Sequence, residues 1–202
     1  MCSRFERKTP PEKLIVRFGL LTTIPLDFPI PSTQGEIRPT DPAIIIPNAN
    51  ETAVLSWGLP ASWDNKPLIN ARAETLSERK TFQPLLGNRC LVPATGYIEW
   101  RKAARNRFKN RIAPETTSDD EPFAFAGLYT KTAFTIITCS PASDIANIHS
   151  RMPVILSREA EKLWLDQSAS FDAVANLLTP YTESKLIAEE DIPPGTQEDL
   201  FA

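Results

Sequence analysis

The sequence predicts a single α+β domain, rich in short strands, with short helices at its periphery. Three observations carry that expectation. A chain of 202 residues fits one hydrophobic core. Its apolar residues gather in short runs rich in β-branched and aromatic types, the composition of strands. Proline is abundant, with 19 residues against 7 glycines, which suits many short elements joined by stiff turns.

Each element follows from local residue types. Thr9-Pro10-Pro11-Glu12 reads as a turn and helix start, with proline at the first helical position. Leu14, Ile15 and Phe18 then form the apolar face of a short helix ended by Gly19. Residues 25–42 are proline-rich and broken. Residues 43–46, β-branched between Pro42 and Pro47, are expected as a strand paired with 53–57. Trp57-Gly58-Leu59-Pro60 is expected as a turn. In 68–75 the polar Asn70, Arg72 and Glu74 alternate with Ala71 and Ala73, so an extended chain places all three on one face. A solvent-facing strand edge gives the same pattern.

Residues 82–86 are expected as a helical turn and 90–94 as a buried strand. Residues 101–121, basic and then acidic, are expected as a loop. Two antiparallel strands over 123–129 and 134–138 are joined by a turn near Thr130, Lys131 and Thr132. Residues 140–148 form a loop or short helix, and 154–156 a short strand. Ser157 caps a helix through Leu165, with Glu159 and Glu161 near its positive end. Residues 171–178 form a last short helix, stopped by Pro180. The acidic tail, 183–202, is expected to be partly disordered. The whole of 1–202 is read as one domain.

Composition narrows the function classes. No apolar run approaches the ~20 residues needed to cross a bilayer as a helix, and no signal-peptide core follows the N-terminal basic residues. The protein is therefore expected in the cytoplasm, beside the nucleoid in a bacterium, or in the nucleus of a eukaryote. Cys2, Cys90 and Cys139 lie far apart, which suggests no disulfide framework. With one histidine in the chain, a Cys/His metal site is not expected, and no cofactor is. The net charge of -3 argues against a general nucleic-acid coat. Yet six cations and no acid fall between Arg101 and Arg111, so the local field differs in sign from the total.

Three residues invite chemistry. Cys2 is expected at the mature N-terminus, because Met1 is usually trimmed before a small side chain. It would then carry an α-amine and a thiol together, two nucleophiles that close on one aldehyde carbon as a thiazolidine. Their ordinary pKa values, about 8 and about 8.5, keep both accessible near neutrality. The alternative is an ordinary residue on a frayed terminus. Glu99 stands among large apolar residues in Gly96-Tyr97-Ile98-Glu99-Trp100, where burial raises a carboxyl pKa and suits acid–base work. The alternative is a glutamate paired with an arginine on a strand edge. His149, in His149-Ser150-Arg151-Met152-Pro153, is either structural or a site residue in a polar, turn-rich stretch.

Met1-Cys2-Ser3-Arg4, Trp57-Gly58-Leu59, Asn70-Ala71-Arg72-Ala73-Glu74-Thr75, Gly96-Tyr97-Ile98-Glu99-Trp100 and His149-Ser150-Arg151-Met152-Pro153 occur in one order. In that order and spacing the chain resembles the SOS-response-associated peptidase (SRAP) family over residues 2–165. The resemblance implies an α+β domain around a barrel-like, mostly antiparallel sheet. It implies a monomer that shields abasic sites in single-stranded DNA by covalent crosslinking through Cys2. Asn70, Glu99 and His149 match the polar residues around that cysteine. Arg4, Arg72 and Arg151 match phosphate-holding positions, Trp100 an aromatic beside the lesion, and Thr138 a pocket-lining position. Two rival readings stand beside it. One is a peptidase with Cys2 as acyl nucleophile, or with Ser3, Asp144 and His149 as a triad. The other is a non-covalent binder of single-stranded or modified DNA.

Overall fold

The computed structural model describes residues 2–20, 35–61, 64–118 and 121–191. In chain order the elements are β1 (Arg4–Glu6), α1 (Pro11–Phe18), β2 (Glu36–Ile37), β3 (Pro42–Asn48), β4 (Glu51–Trp57), β5 (Leu59–Ala61), β6 (Asp64–Leu68) and β7 (Asn70–Arg72). There follow β8 (Arg89–Ala94), β9 (Gly96–Ala103), β10 (Asn106–Pro114), β11 (Phe123–Tyr129), β12 (Ala133–Cys139), β13 (Met152–Pro153) and β14 (Ile155–Leu156). The chain continues through α2 (Arg158–Leu165), α3 (Phe171–Val174) and β15 (Leu186–Asp191).

The β-branched and aromatic runs form a closed barrel. β12 pairs with β4, β4 with β3, β3 with β8, β8 with β11, and β11 back with β12. Only the β12–β4 pairing in this ring is parallel. Closure pairs the edges that an open sheet exposes. β7 lies parallel beside β12, and β13 and β14 extend the rim. A second sheet, in the order β15-β10-β9-β1-β2, covers the barrel. The expected α+β class with a barrel-like sheet and short helices is what the chain adopts.

Aromatic packing joins the two sheets. Phe5 of β1 meets Trp57 edge-on at 5.1 Å between ring centroids, and Phe125 at 6.0 Å. Tyr97 of β9 meets Phe125 at 6.1 Å. Burying a side chain of this size is worth roughly 1.5–3 kcal/mol. That anchor fixes β1, and with it the position of Cys2 three residues upstream. Gly58, with φ of 125°, turns the chain after Trp57, and a Cβ there would meet Pro67 at 2.6 Å. The Trp57-Gly58-Leu59 motif is thus a packing requirement.

Most expected elements are present. α1 has Pro11 in its first turn, and Gly19 ends it at φ 62°. Ser157 Oγ accepts from the Ala160 N–H and caps α2. Three expectations are corrected. The stretch 101–121 is not a loop, because β9 runs to Ala103 and β10 fills 106–114. Leu59 and Pro60 belong to β5, which pairs with β6, rather than to a turn. The extended segment stops at Arg72, and Ala73–Thr75 is a 3-10 turn, so Glu74 leaves the strand alternation. Within the acidic tail, Leu186–Asp191 is β15, paired along β10. Residues 25–34 of the proline-rich stretch and 192–202 of the tail lie outside the described residues. No helix among the described residues is long and apolar enough to cross a membrane.

Candidate functional site

Cys2 does not fray. It is wholly buried, and its carbonyl accepts a 2.7 Å hydrogen bond from Asn70 Nδ2. Its thiol donates to the Arg4 carbonyl at 3.3 Å. Two elements make this clamp. β1 is held against β9 by the Arg4–Ile98, Phe5–Tyr97 and Glu6–Gly96 register, and β7 is held against β12 with Asn70 beside Ile136. The Asn70 amide nitrogen donates to the Cys2 carbonyl, while its Oδ1 is buried with no hydrogen-bond partner among the described residues.

Glu99 projects from β9 on the same face as Tyr97 and is 3% exposed. Burial raises its carboxyl pKa, and the nearby His149 opposes that shift. His149 Nδ1 lies 3.9 Å from Glu99 Oε1. The same nitrogen lies 3.1 Å from both the backbone N and the carbonyl O of Arg151. It can therefore accept from the N–H when neutral and donate to the carbonyl when protonated. A ring with a partner in either state suits proton exchange.

The electrostatics of Cys2 follow from this enclosure. Burial first, and the Glu99 charge second, push its thiol far above the ordinary thiol range. The thiol therefore keeps its proton at neutral pH until a base removes it. Tyr97 responds similarly: burial, then the charges of Cys2, Glu99 and Cys139, raise its phenol. Its hydroxyl is buried with no hydrogen-bond partner among the described residues. Cys139, also buried, is pushed up to about 12, chiefly by burial.

The residues expected to meet DNA are placed around this cluster. Arg4 lies over the Trp100 ring, 5.0 Å from its centroid, and donates to Glu36 at 2.8 Å. Arg72 is exposed on β7. Arg151 grips both carboxylate oxygens of Glu74, at 2.7 and 2.9 Å, and donates to the Thr138 carbonyl at 2.6 Å. Thr138 is buried and lines this junction, its hydroxyl donating to the Ala71 carbonyl at 3.4 Å. Sequence reasoning missed the carboxylates that hold these arginines. Glu74 was visible in the alternation of residues 70–74, but Glu36 carried no local signal. Lys109 shares Glu36 with Arg4. Of the rival triad Ser3, Asp144 and His149, Asp144 Oδ2 accepts from the Leu186 N–H at 3.1 Å, while His149 Nδ1 lies against Arg151 and Glu99.

Comparison with known proteins gives the chain its relatives. The family model described as SOS response associated peptidase (SRAP) matches residues 1–190. Abasic site processing protein YoqW of Bacillus subtilis is 36% identical, across 90% of this chain and 88% of that protein. Abasic site processing protein YedK of Escherichia coli is 29% identical, across 84% of this chain and 82% of that protein. A crystal structure of a protein from Bacteroides thetaiotaomicron superposes with a TM-score of 0.83 at 27% identity, covering 95% of this chain and 93% of that one.

Proposed function

The chain belongs to the SOS response associated peptidase (SRAP) family, and from that premise we propose that it processes abasic sites. It acts as a monomer on single-stranded DNA and bonds to the damaged sugar through Cys2 once Met1 has been removed. The observation that carries this reading is the clamping of the chain's second residue. A wholly buried cysteine, tethered through its own carbonyl by Asn70 beside Glu99 and His149, has no purpose on a frayed end. The names of the relatives, which process abasic sites, support the substrate class.

The chemistry proceeds in three balanced steps. An abasic sugar rests mainly as a closed hemiacetal, so a proton must reach the ring oxygen as the C1′ hydroxyl loses one. His149, with partners in both protonation states, assists this opening. The Cys2 amine then adds to the aldehyde, and water leaves to give an imine. Asn70 Oδ1, buried and unpartnered, is the acceptor that orients this amine. Finally the sulfur adds to the imine carbon, and the proton lost by the thiol ends on the ring nitrogen. Glu99, its pKa raised toward neutrality by burial, carries that proton and returns it on reversal. One molecule of water is released overall, and nothing is oxidised or reduced.

Arg4, Arg72 and Arg151 steady the flanking phosphates with forked guanidinium groups, Thr138 lines the pocket, and Trp100 offers a face on which a base can stack. Glu36 and Glu74 hold Arg4 and Arg151 in place for an incoming phosphate. The test is a denaturing gel after incubation with a single-stranded oligonucleotide carrying one abasic site. The expected result is a heat-stable band that Cys2→Ala abolishes. Cys2→Ser is expected to form the imine but not the sulfur-closed product. No band with the wild-type protein would favour a non-covalent binder, and cleavage of a peptide substrate would favour a peptidase.

A further inference from the structure

Among the described residues β9 and β10 run on past their neighbours: the pairing of β1 with β9 ends at Ile98, and the pairing of β15 with β10 is described as far as Lys109. Within the described residues, 99–108 form a two-stranded arm that starts at Glu99, beside Cys2, and leads away from it. Ala103 pairs with Asn106, which leaves Ala104 and Arg105 as a two-residue turn. Ala104 takes φ of 52°, the left-handed value that such tight hairpins require.

The register decides what each face carries. Trp100 stands opposite Lys109, and Lys102 opposite Arg107. Opposed residues share a face, and alternate residues along a strand share it too. Arg4, Trp100, Lys109, Lys102 and Arg107 thus form one stripe, with the Arg4–Trp100 stack at its pocket end.

Ion pairing separates the tip of this arm from its base. Arg4 and Lys109 share Glu36, Arg101 grips Glu190, and Arg111 pairs with Glu6. Lys102, Arg105 and Arg107 are exposed and form no ion pair among the described residues. In the following acidic segment, Glu121 is engaged elsewhere, with Arg158 and Arg17. Two like charges directly opposite each other weaken a strand pair. Folding alone therefore gives no reason to set Lys102 against Arg107, whereas a bound polyanion does.

We propose that the arm carries the backbone of single-stranded DNA onward from the lesion, with Lys102, Arg105 and Arg107 facing successive phosphates irrespective of sequence. This rests on the reading of the Cys2 pocket as an abasic-site pocket. The arm extends roughly 14 Å from Trp100 to its tip at ~3.4 Å per residue, room for several phosphates of one strand.

The test is the triple variant Lys102→Ala/Arg105→Ala/Arg107→Ala. Equilibrium binding to a lesion-free single strand of about 20 nucleotides is measured over a salt series. The expected result is at least a tenfold loss of affinity at low salt. The slope of log K against log salt should fall by about 2, or ~0.7 for each phosphate contact removed. On an abasic strand at saturating protein, the variant should crosslink at the wild-type rate. An unchanged slope and affinity would overturn the proposal. So would a crosslinking rate at saturation reduced in the same proportion, which would make the arm part of the reacting pocket. A loss seen on duplex but not on single strand would overturn the choice of partner. Should the wild-type protein form no crosslink, the pocket reading falls, while the lesion-free slopes still judge the arm.

Discussion

Two buried polar clusters in this molecule look alike by burial and differ in what they leave unmade. Arg89, 2% exposed at the start of β8, donates to the carbonyls of Trp164, Leu86, Asp166 and Ala169. Its guanidinium ties the C-terminal end of α2 to the barrel, where helix carbonyls have no partners of their own. The Cys2 pocket is as deeply enclosed, yet Asn70 Oδ1 and the Tyr97 hydroxyl have no hydrogen-bond partner among the described residues. A buried acceptor left open costs roughly 1–3 kcal/mol. The completed network at Arg89 holds the fold, and under the proposed function the open acceptor of Asn70 is where the Cys2 amine is received.

The comparison breaks most visibly at Arg89. Arg89→Met keeps the apolar bulk but leaves four carbonyls, that of the buried Trp164 among them, without their donor. A loss of about 3 kcal/mol or more is expected. At ~2–4 °C per kcal/mol for a chain of this size, the melting temperature should fall by roughly 10 °C. Crosslinking per folded molecule, measured well below that transition, should stay at the wild-type value. A variant that melts normally but fails to crosslink would invert the roles assigned to the two clusters.

A smaller effect, of opposite sign on stability, is expected at Glu99. Burial raises its folded pKa, so the native state binds the proton more tightly than the unfolded chain does. Between the ordinary glutamate pKa, about 4.3, and that raised value, stability falls as pH rises. Above that raised value the wild type bears this penalty in full. Glu99→Gln removes it, so the variant should melt higher at pH 7, by about 2–4 °C for each kcal/mol recovered. The difference should vanish below the ordinary glutamate pKa. Crosslinking should slow about 10²–10⁴-fold, the usual worth of a positioned proton carrier. A variant that is less stable at pH 7 would show the carboxylate to be a structural partner.

Much of this arrangement is legible in the chain. The β-branched run of β3 and the apolar run of β8 announce buried strands, and Ser157 and Gly19 announce helix ends through capping chemistry. The order of five short motifs points to Cys2, Asn70, Glu99 and His149 together. What stays hidden is non-local. No local pattern tells that β12 closes the barrel by pairing parallel with β4, some 75 residues earlier by the Ala133–Ser56 register. The arm is hidden for another reason. Its charges read as a loop, although Arg105, Arg107, Lys109 and Arg111 repeat with the two-residue period of a strand. Glu36 meets Arg4 only because β2 returns beside β1.

The central claim is that the α-amine and the sulfur of one residue capture the same sugar carbon. Mass spectrometry of the proteolysed adduct tests it most directly. The account predicts a chain lacking Met1, with the sugar remnant held on Cys2 through both nitrogen and sulfur and the mass lowered by one water. A remnant found on a lysine, on Cys139, or on Cys2 with Met1 still attached would contradict it.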